Sequence, residues 1–324
     1  MGSDAGKLNF GIHLVQSDDP KKVLHGISLL EQAAENGLAK AQTTLALHLV
    51  EGDIVERDYE RSFQLFQAAA DSGDLDGIVG LGMNYSRGYG CQQDLARAHE
   101  CFKLAAERGS VQAQFNLAWS YHHGSGAQKS YEAALKWYSA AAEQGSPGAI
   151  RGIGELFELG AGGLQRDLRR AAQLYEQAAQ LGDIVAEYNL GVFYEHGEGV
   201  RVDRRLSASY LERAATKGHD SAQLNLGLLY QSGIDGVPDY RKAIYWLQMS
   251  AEAGNRKAHG AIGQMYLAGQ GVERNIKKAI HHLELSATEG EVYSQYNLAL
   301  LLRGVDDGPV DELRSTYWLT QAAE

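Results

Sequence analysis

A glycine that returns at a nearly fixed interval is the feature that most restricts how this chain can fold. Successive members of the column lie 36 residues apart, and once 37 apart: Gly37, Gly73, Gly109, Gly145, Gly182, Gly218, Gly254 and Gly290. A period between about 20 and 50 residues is typical of solenoids and repeat arrays. We term these residues index glycines and number other residues from the preceding one, so that Gly191 occupies position +9.

Each repeat predicts a pair of helices. Positions +1, +4, +5, +8, +9 and +12 fall on one arc of a first helix at about 100° per residue, and we expect that arc to be buried. Small residues at +9, such as Gly191 and Gly227, imply close helix packing that outweighs the cost of about 1 kcal/mol for glycine inside a helix. Glycine-rich turns follow, and favoured N-cap residues then open the second helix: Asp58, Asp94, Ser130, Asp167, Asp203, Asp239, Asn275 and Asp311.

The repeat resembles a known family. The pattern A-x-x-x-L-G-x-x-Y-x-x-G-x-G-V-x-x-D-x-x-K-A-x-x-W-x-x-A-A-x-x-G, which residues 258–290 nearly reproduce, is similar to the Sel-one-like repeat, a tetratricopeptide-like helix pair. The resemblance implies an all-α, right-handed α/α superhelical solenoid that acts mainly as a protein-binding scaffold. We expect one domain, 1–324, of nine repeats at approximately 5–37, 38–73, 74–109, 110–145, 146–182, 183–218, 219–254, 255–290 and 291–324.

Charge and hydropathy limit the partners and the location. A net charge of −11 argues against nucleic acid, whose phosphates attract clustered Lys and Arg, so we expect neutral or basic protein partners. No apolar run approaches the roughly 18 residues of a membrane-spanning helix. As the chain reads, we expect a cytoplasmic monomer. A periplasmic or secretory location applies if Met1 to Ser3 are a cloning leader that replaces a signal peptide.

Sequence motifs for catalysis, cofactors and metals are weak. Glycine pairs such as Gly197 and Gly199 lack the preceding strand and the third glycine of a dinucleotide fingerprint. The adjacent histidines His122 and His123 point about 100° apart on a helix and do not form an HExxH motif. We therefore predict no catalytic residues, no cofactor and no metal site.

The sequence is compatible with three classes of function. A non-catalytic interaction scaffold or adaptor, which binds a partner protein or peptide along its concave groove, follows from the repeat as a whole. Some bacterial relatives of the family are immunity proteins that inhibit a toxic secreted phospholipase, which is the alternative for this chain. An enzyme, such as a hydrolase of cell-wall substrates, is the third class, and the sequence offers it no motif.

The predicted binding surface is the arc of the first helix that the core leaves over. In a tetratricopeptide-like superhelix this arc, at positions +3, +6, +7, +10, +13 and +14, lines the concave groove. Large aromatic residues on such an arc are common anchors of binding surfaces. The predicted partner-binding residues are Phe115, Asn116, Trp119, His122, Arg151, Glu155, Glu158, Tyr188, Asn189, Glu195 and Asn225.

A second interpretation of these residues stays open. The asparagines at +7 can bond to an adjacent helix, and the aromatic residues can fill the inner curve without any partner. We also interpret Lys217 as an ordinary surface residue whose replacement leaves stability unchanged, and Arg213 as a position on the second helix that does not affect binding.

Overall fold

The computed structural model describes residues 3–323, so Met1 and Gly2 of the expected leader and Glu324 lie outside the described residues. The chain divides into two compact units, 1–166 and 167–324, termed unit 1 and unit 2. The single-domain prediction remains a prediction. Within the described residues, unit 1 contains nine α-helices, in chain order α1 Asp4–Val15, α2 Pro20–Glu35, α3 Ala39–Glu51, α4 Tyr59–Asp71, α5 Leu75–Arg87, α6 Leu95–Glu107, α7 Val111–His123, α8 Tyr131–Glu143 and α9 Pro147–Leu159.

Unit 2 contains the other nine α-helices and one 3₁₀ helix. They are α10 Leu168–Gln180, α11 Ile184–His196, α12 Arg204–Thr216, α13 Asp220–Ser232, α14 Tyr240–Glu252, α15 Arg256–Ala268, α16 Ile276–Ala287, α17 Val292–Leu301, the 3₁₀ helix Val305–Asp307, and α18 Glu312–Ala323. Over residues 3–323 there is no β-strand, and the β-type pairing consists of one isolated bridge between Arg303 and Val310. The predicted all-α fold of repeated helix pairs is confirmed.

The helix ends follow the predicted capping chemistry. Asp58 accepts a hydrogen bond from the backbone N–H of Arg61 at 2.9 Å, and the other members of its column cap their helices in the same way. Gly88 ends α5 in the left-handed conformation, which glycine adopts without steric strain. Position +1 is an N-cap, as at Ser110, and the prediction of a buried helical residue there was wrong.

Small residues at +9 bring the two helices of a repeat into close contact. A Cβ atom added to Gly191 on α11 would lie 2.6 Å from Cγ of Leu211 on α12, and one added to Gly227 would lie 2.7 Å from Cγ of Leu247. Real Cβ atoms do not approach other atoms this closely, so neither position has room for a side chain. The predicted close approach is confirmed.

A repeated hydrogen bond that the sequence analysis did not anticipate links consecutive repeats. A buried glutamine at +5 donates its side-chain N–H to the backbone carbonyl of the alanine three residues before the index glycine, at 3.1 to 3.4 Å. The pairs are Gln42 with Ala34, Gln114 with Ala106, Gln223 with Ala215, and Gln295 with Ala287. Each of these carbonyls also accepts a hydrogen bond from the backbone N–H of its index glycine at 3.0 Å, so the glutamine supplies a second donor at the helix C-terminus.

Glu187 occupies the same position, +5, and its contacts correct the interpretation of Lys217. Its carboxylate is fully buried at +5 and cannot donate a hydrogen bond. It receives the Lys217 ammonium at 2.9 Å and the Arg213 guanidinium at 2.6 Å instead. Lys217 is therefore not an ordinary surface residue. Arg213 contacts the same buried carboxylate, and the expectation that its replacement does not affect binding stays a prediction.

No helix within residues 3–323 combines the length and the apolar character that a membrane span requires.

Candidate functional site

An apolar stripe crosses the first helices of unit 1. Helices α3, α5 and α7 each begin at position +2 and end at +14, so residues at the same position lie at equivalent places on them. Position +10 is Leu47, Met83 and Trp119 in these helices, and these three residues form the apolar stripe. Leu47 and Trp119 are 47% and 43% exposed. In α9 the same position is Glu155, which ends the stripe.

A cavity lies between Met83 and Trp119 of the stripe. Its volume is about 110 Å³, and helices α5, α6 and α7 with the turn after α7 supply its walls. The predicted site residues Asn116 and Trp119 both line it. The remaining lining residues are Met83, Ser86, Arg87, Leu95, Ala98, His99, Phe102, Ser120 and Ser125. The structure therefore brings two predicted binding residues together around one opening.

The side-chain hydrogen-bond donors at this cavity have few acceptors within the protein. Among the described residues, neither the Asn116 amide nor the Trp119 indole N–H has a hydrogen-bond partner, and the Arg87 guanidinium has no carboxylate partner. Arg87 lies over the ring of Tyr89, with its Cζ 5.6 Å from the ring centroid. The Trp119 ring stacks on His123 at 4.3 Å, which holds the indole in place.

The serine and histidine inside the cavity are arranged for structure rather than for catalysis. His99 Nδ1 lies 2.8 Å from Ser120 Oγ, which is within reach of a nucleophile and its base. However, the Ser120 hydroxyl donates its proton to the carbonyl of Ser125. His99 Nδ1 must then donate to Ser120 Oγ, so this nitrogen cannot accept the hydroxyl proton. Burial also lowers the pKa of His99, which keeps the imidazole neutral.

Three other predicted residues form a cluster inside unit 1. Arg151 pairs with Glu155 on α9, and Glu155 lies 3.9 Å from Nδ1 of His122 on α7. His122 is buried, and Tyr138 OH lies 3.4 Å from its Nδ1. Burial lowers the pKa of His122 to about 4, and the positive charges of Lys129 and Arg151 act in the same direction. This cluster faces its own neighbours more than solvent.

Phe115 and Glu158 are also half-buried. The Phe115 ring lies 6.0 Å from that of Tyr138 and fills the space beside Gly148, where an added Cβ would lie 2.9 Å from the ring. Glu158 accepts a hydrogen bond from Arg166 through its backbone carbonyl at 3.0 Å. Phe115 thus contributes to the core of unit 1, while Trp119 on the same helix is available to a partner.

Unit 2 places two of its four predicted residues in one groove. Tyr188 and Asn225 line a groove of about 780 Å³ at the N-terminal ends of α13, α15 and α17. The Tyr188 ring stacks on His219 at 4.7 Å. Asn189 and Glu195 are half-buried on α11 and do not line this groove.

The sequence analysis missed several exposed apolar residues on the first helices. Leu47 and Met83 share the column of Trp119, and Arg87 at +14 shares that of His123, so the same numbering identifies them. In unit 2, Tyr293 and Tyr296 on α17 are 61% and 48% exposed at +3 and +6. The missed signal was the column itself, because the prediction considered three consecutive repeats and one residue, Asn225, of the next.

One group of three potential metal ligands converges within residues 3–323. His48, Glu51 and Asp53 offer ligand atoms within 4.8 Å of one another at the end of α3. Asp53 already lies 3.1 Å from His48 Nδ1 and accepts the N–H of Ile54 at 2.8 Å. Because Glu51 and Asp53 are exposed and Asp53 already has these partners, the group carries no metal assignment.

Comparison with known proteins identifies the repeat. The family model described as Sel1 repeat matches nine successive segments of the chain, at residues 9–38, 39–74, 76–110, 111–146, 147–183, 184–219, 220–255, 257–291 and 292–324. No curated protein sequence matches the chain.

Solved structures with the same repeat resemble the chain. A protective antigen of uropathogenic Escherichia coli strains, which displays an SLR fold, is 28% identical over 99% of this chain and 77% of its own, with a TM-score of 0.61. A Sel1 repeat protein from Oxalobacter formigenes is 29% identical over 92% of this chain and 86% of its own, with a TM-score of 0.64. An immunity protein from Pseudomonas aeruginosa is 21% identical over 64% and 81%, with a TM-score of 0.44, and its role is not transferable at that level.

Proposed function

The chain belongs to the Sel1 repeat family, and on that premise we propose that it is a non-catalytic scaffold that binds a partner protein or peptide on the first-helix surface of unit 1. Sel1 repeat proteins are generally protein-interaction scaffolds. The observation that carries the proposal for this chain is the apolar stripe with its cavity. Leu47 and Trp119 keep almost half of their surface exposed although the other leucines of α3 and α7, which are Leu45, Leu49 and Leu117, are buried.

The composition of this surface supports binding. Tryptophan and arginine are the residues that most often dominate the energy of protein interfaces, and Trp119 and Arg87 line one cavity here. The indole is held by its stacking on His123, so a partner would lose little side-chain entropy in fixing it. Arg87 and Asn116 offer polar contacts at the same place.

The chemistry of the cavity supports the proposed absence of catalysis. Its serine and histidine have the proton on the wrong atom for nucleophilic attack, because Ser120 donates to Ser125 and His99 donates to Ser120. Nearby, the partly buried Glu155 carboxylate pairs with Arg151 and lies 3.9 Å from Nδ1 of the buried His122. These contacts stabilise the helices.

A role as an immunity protein, as in some bacterial relatives of the family, is the alternative function, and it would use the same surface. An inhibitor of a secreted phospholipase would also need exposed anchors and no catalytic groups. The identity of the captured protein separates the two roles, since an inhibitor must abolish the activity of its partner whereas a scaffold need not.

Affinity capture tests the proposal. Tagged wild-type chain and a Trp119→Ala variant are incubated with extract of the source cells, and the retained proteins are compared by quantitative mass spectrometry. We expect a protein that is retained by the wild type and lost with Trp119→Ala. Tyr245→Ala removes an exposed aromatic side chain from α14 and is the matched control. Equal recovery with all three chains would exclude the stripe as the binding surface.

A further inference from the structure

We propose that the segment recognised by the apolar stripe is an extended polyproline-II segment with an apolar side chain at every third residue. The inference rests on the proposed partner-binding role of this surface and names the class of ligand. It is drawn from three properties of the surface: the spacing of the stripe, the size of the cavity, and the kind of hydrogen-bonding groups beside it.

The spacing of the stripe matches the pitch of this conformation. Leu47, Met83 and Trp119 occupy one position on consecutive first helices; α3 packs on α5, and Met83 and Trp119 share the cavity. Packed helices lie about 8 to 10 Å apart. A polyproline-II helix has three residues per turn and rises about 3.1 Å per residue, so every third side chain returns to one face after about 9 Å. One ligand turn of about 9 Å therefore matches the spacing expected where α3 packs on α5, and a side chain one turn further along the ligand would reach the cavity between Met83 and Trp119.

A β-strand ligand does not satisfy the same geometry. Its residues i and i+3 are about 10 Å apart but point to opposite faces, because side chains alternate along a strand. Residues i and i+2 share a face but lie only about 7 Å apart. Neither spacing presents an apolar side chain to each of Leu47, Met83 and Trp119.

The cavity accepts one side chain of moderate size. Its volume of about 110 Å³ is somewhat smaller than a 150 Å³ cavity that accommodates benzene. A leucine side chain or a proline ring is of the appropriate size. The exposed face of the Trp119 indole at its edge offers a flat apolar surface on which a proline ring can stack.

The polar groups beside the cavity distinguish an extended ligand from an α-helical one. The Asn116 amide, the Trp119 indole N–H and the Arg87 guanidinium can all donate hydrogen bonds, and none has a hydrogen-bond or ion-pair acceptor among the described residues. A polyproline-II backbone has free carbonyl oxygens, because it forms no internal hydrogen bonds. Most carbonyls of an α-helix are already bonded within the helix. A proline-rich ligand also has few N–H groups that would need acceptors on this surface.

Synthetic peptides test the inference without knowledge of the natural partner. The probe is a fluorescein-labelled peptide of four Leu-Pro-Pro triplets, and binding is measured by fluorescence anisotropy. The first comparison peptide has the same composition with leucines at irregular spacing, and the second has four Leu-Gly-Gly triplets, which keep the spacing but not the conformation. A third is an α-helical peptide with leucine at every seventh residue, which spaces its leucines by about 10 Å as well.

We expect the Leu-Pro-Pro peptide to bind at least about tenfold more tightly than each comparison peptide. Trp119→Ala should weaken its binding about tenfold or more, and Tyr245→Ala should leave it unchanged. Equal binding of the irregular or helical peptide, or no binding at about 1 mM, overturns the inference. If a natural partner still depends on Trp119 in that case, the binding role of the stripe survives and only the ligand class is wrong.

Discussion

Lys217, the C-cap residue of α12, donates to both carboxylate oxygens of Glu187 on α11, at 3.0 and 2.9 Å, and Glu187 is fully buried. Arg213, one helical turn before Lys217, lies 2.6 Å from the same carboxylate. Four other repeats have a glutamine in the place of Glu187, which donates to an alanine carbonyl of the preceding helix. The two cations at the C-terminal end of α12 therefore compensate a buried charge that exists in one repeat of unit 2.

Removal of Lys217 should destabilise the protein. In Lys217→Ala the buried carboxylate keeps Arg213 but loses a second charged donor, so the free energy of unfolding should fall by about 1 to 3 kcal/mol. Urea denaturation followed by circular dichroism measures the change. The further substitution Glu187→Gln should recover most of the loss, because a glutamine can donate to the Ala179 carbonyl as in the other repeats. Equal stability of Lys217→Ala and wild type would contradict this account.

Overpacking at position +9 should be costly. Gly191→Leu places its side chain against Leu211, where even a Cβ would lie 2.6 Å from two side-chain atoms. We expect a loss of about 1 to 3 kcal/mol or more in the free energy of unfolding. His196→Leu, at an exposed position of the same helix, is the control and should change stability by less than about 0.5 kcal/mol. A wild-type melting temperature for Gly191→Leu would show that α11 and α12 are not in close contact.

The second glycine of the turn after a first helix combines strain with contact. Gly126 has φ +78°, and an added Cβ would lie 1.9 Å from the Leu95 carbonyl oxygen. Gly109 has φ +91° with no other atom near its Cβ position. Gly109→Ala should cost about 1 to 2 kcal/mol, from the backbone conformation alone. Gly126→Ala should cost clearly more, and calorimetric melting of both variants tests the difference.

Histidines make stability depend on pH. Burial lowers the pKa of His122 and of His282 to about 4, and positive neighbours such as His259 beside His282 add to the effect. Between the ordinary histidine pKa of about 6.5 and pH 4, the unfolded chain binds these protons and the folded chain does not. Stability should therefore be fully present above about pH 6.5 and should fall as the pH decreases towards 4.

Substitution identifies the histidines responsible. His282→Gln should flatten the dependence of the melting temperature on pH between about 6.5 and 4, while His13→Gln, at an exposed position, should retain the wild-type slope. His282 Nδ1 lies 2.9 Å from His259 Nδ1, so one of the two rings must be neutral and accept a hydrogen bond. Protonation of both rings is unfavourable, because two positively charged rings at this distance repel each other. If the melting temperature of the wild type did not change between about pH 6.5 and 4, the assignment of this pH dependence to the buried histidines would be wrong.

Much of the fold could be predicted because it is encoded in residues close in sequence. The N-cap column from Asp58 onwards, the left-handed glycines and the close contact at Gly191 all depend on one helix or one helix pair. The role of Lys217 could not be predicted, because its partner Glu187 is 30 residues away. Glu187 is also the one acidic residue at a position that varies among glutamine, isoleucine and histidine in the other repeats that follow an index glycine.

The candidate site was less predictable for the same reason. Position along a helix indicated that Trp119 faces outwards, and it does. The same reasoning placed His122 on the surface, where the structure has it buried beside Tyr138 of the next helix. The exposure of a residue on the first-helix arc depends on the side chains of neighbouring helices, which the period of the repeat alone does not specify.

The most direct test of the central claim is the affinity of the captured partner for a variant of the stripe. Isothermal titration of purified partner against wild type, the double variant Met83→Ala/Trp119→Ala, and the control double variant Tyr245→Ala/Met249→Ala on an exposed face of α14 compares the two surfaces. We predict that the stripe variant loses at least about tenfold in affinity at an unchanged helical circular dichroism spectrum, and that the control binds as the wild type does. Full affinity of the stripe variant, or an equal loss in the control, would contradict the account.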